Sequence, residues 1–150
     1  MANVSARIIH PLVFGSLLAV AACSGGNSDT RQALAQVQAT MAAALPKPYI
    51  EDLVVESVKV EGNALVEVIR SPLGTAAKTR QNPRFNELQQ AEQIDLLKWC
   101  LEPDVRPLLH TTAVLKRRFV DRHGGVFFEV SMPARDCPSA THDAGAHTPP

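Results

Sequence analysis

Two stretches rich in β-branched residues, each broken once by a glycine-bearing turn, stand on either side of a proline-bounded apolar run, and this order leaves few folds open. The first, LVVESVKVEGNALVEVIRS from Leu53 to Ser71, carries EGNA at its centre, where Gly62 and Asn63 suit the positive φ of a tight reversal. It predicts a β-hairpin. The second comprises TTAVLKRRFVD and GVFFEVSMP, joined through RHGG from Arg122 to Gly125. Alternation along its last strand puts Val126, Phe128, Val130 and Met132 on one side and Phe127, Glu129 and Ser131 on the other, so one face is core and the other largely wet.

Between the hairpins, SPLGTAAKTRQNP (Ser71 to Pro83) has turn residues and no periodicity, and reads as an exposed loop. A helix is predicted over Arg84–Glu102, where Phe85, Leu88, Leu96, Trp99 and Cys100 share one face, Pro83 suits the first turn and Pro103 the end. Glu92 interrupts that face. Ile94, Leu97 and Leu101 form a second apolar strip, for which a loop of the same chain is the expected cover and a partner the alternative. Ahead of the hairpins, Leu34, Val37, Met41, Ala44 and Leu45 mark a helix docked on the domain, with Ser28 or Asp29 as cap and Pro46 and Pro48 ending it. The expected fold is α+β: a four-stranded antiparallel sheet of two hairpins with a helix packed on one face, a two-layer sandwich, plus the N-terminal helix.

The chain opens with a short start carrying a basic residue, Arg7, then an apolar run from Leu12 to Ala22 ending in small residues. These are the parts of an export signal, and the run falls short of the roughly 20 apolar residues that span a bilayer. Its ending VAAC, Val20 to Cys23, resembles the lipobox of bacterial lipoprotein signal peptides. The resemblance implies cleavage before Cys23 and a lipid, palmitate among its acyl chains, on that residue. Because Ser24 is not acidic, it implies the outer membrane, with the domain facing the periplasm. The expected organisation is a signal peptide over 1–22, a lipid-anchored tether over 23–29, a single domain over 30–137 and a disordered tail over 138–150. With Cys23 lipidated, Cys100 and Cys137 remain, and an oxidising compartment pairs them. The loop they close is worth about 4 kcal/mol in the chain-entropy model.

The span from LPKPYIED to the CP at Cys137 also resembles a type of small, uncharacterised, disulfide-containing exported domain. In that type a hairpin, a cysteine-bearing helix, an RxLL turn (here Arg106, Leu108, Leu109) and a second hairpin ending in Cys recur. The glycine that follows the turn is replaced here by Thr111 and Thr112, and the resemblance implies no activity.

No GxSxG, phosphate-binding glycine loop or Cys-His nucleophile spacing is present, so no catalytic residue and no cofactor are expected. His110, His123, His142 and His147 read as surface histidines rather than metal ligands, and the carboxylate pairs Glu51/Asp52 and Asp121/Glu129 as surface charge. Lys plus Arg and Asp plus Glu balance at 15 each, which gives no global field toward nucleic acid. The densest charge run is KRR, Lys116 to Arg118, with Arg122 close behind. On a strand Lys116 and Arg118 point one way and Arg117 the other, and a bland role in protecting a sheet edge accounts for the run. Together with an outward-facing Phe127, Lys116, Arg117, Arg118 and Arg122 make the candidate partner-binding surface. The expected function is that of a binding protein rather than an enzyme: a lipid-anchored domain that assists or holds an envelope protein, such as part of a secretion or cell-wall assembly. The alternative is a lipoprotein inhibitor or immunity protein against a periplasmic lytic enzyme or toxin.

Overall fold

A computed structural model of the chain describes residues 25–138. The signal segment 1–22, Cys23 and the tail 139–150 lie outside the described residues.

Helix α1, Gly25–Ala42, buries Thr30, Leu34, Val37 and Met41, one face at helical spacing. A tether was expected over 23–29; instead the helix already runs from Gly25. Its N-terminal part is docked on the domain through the buried Thr30, which donates its hydroxyl within the helix to Gly26 O at 2.9 Å and meets Thr112 Oγ1 at 3.3 Å.

Strands β1 (Lys47–Pro48), β2 (Val54–Glu61), β3 (Ala64–Arg70), β4 (Val114–Val120) and β5 (Val126–Pro133) form a five-stranded sheet in the order β1-β2-β3-β4-β5. The first hairpin closes with Glu61 opposite Ala64, and Gly62 at φ 63° supplies the first turn position that a type II′ reversal requires. Both hairpins are antiparallel, but β3 and β4 run parallel, with Leu65 opposite Leu115 and Ile69 opposite Phe119. The expected four-stranded antiparallel sheet is thus corrected to a mixed one. The physical reason lies in the connection: residues 71–113 are long enough to carry the chain over one face and back to the start of β3, as a parallel pair demands. Asn63 fixes that register, since Val114 N donates to its carbonyl at 2.9 Å while its own amide donates to Thr112 O at 2.9 Å.

The crossover holds a short helix α2 (Ala76–Arg80), helix α3 (Phe85–Trp99) and a 3-10 turn, Pro103–Leu108. Where an open loop was expected over 71–83, α2 is held by Asp121, whose carboxylate accepts Ala76 N–H at 2.9 Å and the N–H groups of His123 and Gly125 at 2.8 Å each. Those bonds, that of Ala76 first, hold the Asp121 carboxyl below its usual range. Asp121 is therefore a structural cap and shares nothing with Glu129.

Helices α1 and α3 and the 3-10 turn cover one face of the sheet. Leu34, Val37, Leu96, Trp99, Val105 and Leu108 meet Leu65, Ile69, Leu115, Phe119, Phe128 and Met132 there in the main core. The disulfide Cys100–Cys137, bridging a sequence separation of 37, ties the end of α3 to the segment after β5. On the opposite face Ala64, Val66, Val68 and Val120 form a second, smaller cluster. As the central strand, β3 is buried on both faces, which is why its sequence runs apolar rather than alternating.

Candidate functional site

The KRR run lies on β4, which sits between β3 and β5 and is not an edge. Strand parity therefore splits it between two faces. Lys116 and Arg118 stand on the face without helices. There Lys116 Nζ lies 3.2 Å from Glu129 Oε2, and Arg118 bridges Glu129 and Glu61, the latter through two bonds of 2.7 and 2.8 Å. The bonds to Arg118 pull the Glu61 carboxyl below its usual range, and Arg118 is correspondingly raised. With Arg70 clamped on Glu56 at 2.6 and 2.8 Å, this lattice roofs the small valine cluster.

Arg117 points the other way and is buried among the helices. The expectation that Lys116, Arg117, Arg118, Arg122 and Phe127 share one outward surface is corrected on this point. Arg122 is exposed in the turn, donating to His123 Nε2 at 2.9 Å. Phe127 falls at the irregularity where the register slips between Phe119 and Val120, and it packs half-buried against the main core instead of facing outward. Val126, expected inside, is exposed for the same reason. Strand addition is also opposed at β5, the edge of this hairpin: Arg80 donates to Val126 O at 2.9 Å and Gln93 to Ser131 O at 3.2 Å.

Inside, Arg117 organises a polar cluster. Its Nε donates to Glu67 Oε2 at 2.9 Å, and its Nη1 donates to Tyr49 Oη at 2.9 Å and Asp95 Oδ2 at 3.1 Å. The guanidinium lies 5.1 Å from the Tyr49 ring centroid and 5.6 Å from that of Trp99. Burial works against its charge, but Glu67 and the other partners keep Arg117 protonated. Tyr49 in turn donates to Glu92 Oε2 at 2.7 Å. Burial raises both the Tyr49 hydroxyl and the Glu92 carboxyl above their ordinary values. Lys98, ahead of Arg117, lowers Asp95. This explains the charge within the helix stripe: Glu92 faces the core because Tyr49 receives it. Sequence reasoning did not find Glu67 or Tyr49. Glu67 had a signal, since it shares inward parity with Leu65 and Ile69, as Arg117 does with Leu115 and Phe119; the lone Tyr49 had none.

The cluster forms the floor of a cleft of about 250 Å³ with Met41, Ala44, Lys47, Pro48, Trp99, Glu102 and Asp104 in its walls. A wider groove of about 650 Å³ lies at the start of α3, with Phe85, Leu88 and Ala91 on its apolar side and Glu51, Asn82, Arg84 and Glu87 on its rim.

The second apolar strip of α3 is bare. Ile94, Leu97 and Leu101 are 69%, 43% and 71% exposed, and Leu88 joins them at 45%. Expected cover by the chain itself is absent among the described residues. Leu88, Ala91, Ile94 and Leu97 follow one i+3 row, a ridge of the kind that packs into the groove of another element. Among the described residues no three His, Cys, Asp or Glu side chains converge to hold a metal ion.

These features belong to a class defined by fold: a two-layer α+β domain with an open, mixed five-stranded sheet. A protein from Pseudomonas aeruginosa classed as secreted shares it, with a TM-score of 0.59 at 20% identity, over 78% of this chain and 100% of the other. So does the pilotin EpsS of the Vibrio vulnificus type 2 secretion system, with a TM-score of 0.51 at 17% identity, over 75% of this chain and 97% of that one. The type II secretion system pilotin AspS from Vibrio cholerae aligns with a TM-score of 0.49 at 12% identity, over 73% and 96%. No protein-family model and no curated protein matches the sequence.

Proposed function

We propose that the chain is a non-catalytic helper of the bacterial envelope, tethered to the outer membrane by lipid on Cys23, that binds a protein component of an export assembly through the outward face of α3. The observation that carries this reading is the bare row Ile94, Leu97 and Leu101 along one face at α3, with Leu88 beside it, on a fold shared with the pilotin EpsS. Leucine and isoleucine held in water on a rigid helix gain free energy by being covered, at about 25 cal/mol per Å². The rigidity of the face lowers the cost of ordering on binding.

The test is affinity capture of the lipidated protein from envelope extracts, comparing the native chain with the double variant Ile94→Gln, Leu97→Gln. Both variant positions are exposed, so the fold should persist by circular dichroism while recovery of the export component falls at least tenfold. Equal recovery by the variant contradicts the assignment of the face. Recovery of a lytic enzyme or toxin in place of an export component favours the inhibitor reading.

A further inference from the structure

The cleft over Arg117 leaves two charged atoms without hydrogen bonds. Arg117 uses Nε and Nη1 on Glu67, Tyr49 and Asp95, while its Nη2 makes no hydrogen bond; Glu67 accepts through Oε2, while its Oε1 has only Lys47 Nζ at 4.0 Å. Both side chains are more than nine-tenths buried. Among the described residues no side-chain nitrogen or oxygen is sealed from solvent without a partner, so both atoms reach solvent, and both residues line the cleft. A fixed donor and a fixed acceptor thus stand on neighbouring strands, Glu67 being in register with Arg117.

The geometry points to a binding site for a primary carboxamide, either an asparagine or glutamine side chain or a free amide. A carboxylate would meet Arg117 well but oppose Glu67; an ammonium would do the reverse. A neutral amide presents an acceptor oxygen and a donor NH₂ on one planar group, the complement of the pair on the cleft floor. Of the remaining walls, Met41, Ala44 and Pro48 offer apolar contact to a short alkyl stem, Lys47, Glu102 and Asp104 carry charge of both signs, and about 250 Å³ accommodates a single side chain rather than a larger ligand. This site lies apart from the α3 ridge, so it stands or falls independently of the function proposed above.

The experiment titrates the native protein with propionamide, propionate and propylammonium, following by NMR the indole N–H of Trp99, the chain's one tryptophan, and the Nε–H of Arg117. Propionamide should shift both resonances, and each charged isostere should bind about tenfold more weakly or worse, as expected when a buried donor or acceptor is left facing its like. A capped peptide carrying Gln, set against the same peptide carrying Glu, separates a protein side chain from a free amide as the source. Because Arg117 and Glu67 support the fold, the blocking variant is Ala44→Phe, at an exposed wall position; it should abolish the shifts with the spectrum otherwise folded. No response to propionamide, equal response to either charged isostere, or an undiminished response in Ala44→Phe overturns the proposal.

Discussion

The two layers of the sandwich meet water in opposite ways. The sheet's outer face is densely charged, yet most of its cations, Lys59 apart, are already engaged: Lys116 and Arg118 hold Glu129, Arg118 also holds Glu61, and Arg70 holds Glu56. The outer face of α3 carries few charges but exposes Ile94, Leu97 and Leu101. Charge density is therefore a poor guide to an interface when the charges are mutually satisfied, because a partner would have to replace bonds that the chain already makes. An uncovered apolar row has no such competitor.

The contrast between inward and outward charge on β4 can be broken by truncation. Arg117→Ala would leave Glu67 buried beside no guanidinium and should cost about 3–5 kcal/mol in chemical denaturation. A loss below about 1 kcal/mol would mean that water enters the cluster freely. Next in size is the staple that holds the helix layer to the end of the sheet: Cys100→Ser should lower stability by roughly 2–5 kcal/mol, and thiol labelling of the native protein should find Cys100 and Cys137 blocked until reductant is added.

A smaller effect comes from Glu92, whose carboxyl is raised by burial from its ordinary 4.5, the Tyr49 hydroxyl partly opposing the shift. A carboxyl raised on folding binds more protons in the folded than in the unfolded state between the two values. Stability contributed by Glu92 therefore falls as pH rises from about 4.5 through its folded value. Glu92→Gln should remove that fall, so the difference in melting temperature between variant and native protein should move in favour of the variant as pH rises through this window. A pH-independent difference would place Glu92 in contact with water. Smallest of all, Arg118→Ala on the outer lattice should cost no more than about 1 kcal/mol, and less in high salt, because surface pairs are screened.

Much of the fold was legible because its signals are local. The Gly62-Asn63 turn, the alternation of Phe128, Val130 and Met132, and the proline limits of α3 each act within a few residues. The parallel pairing of β3 with β4 was not legible, since it depends on the route of the intervening crossover and on Asn63 bonding to residues about the start of β4. The candidate site divided in the same way. Strand parity already separated Arg117 from Lys116 and Arg118, but only packing decides which side carries the helices. The apolar strip on α3 was visible from its spacing; that no part of the described chain covers it is a tertiary fact. The slip that turns Phe127 inward arises from a register irregularity that no residue pattern announces.

Whether a partner is held by α3 or by the charged sheet face can be read by site-specific photo-crosslinking in intact cells. A photoreactive amino acid placed at Leu97, and in a separate strain at Lys116, reports what each face touches without requiring the complex to survive extraction. Position 97 should give a discrete crosslinked adduct that contains an export-assembly component, and position 116 none. An adduct from position 116 with none from position 97 would contradict the assignment to α3.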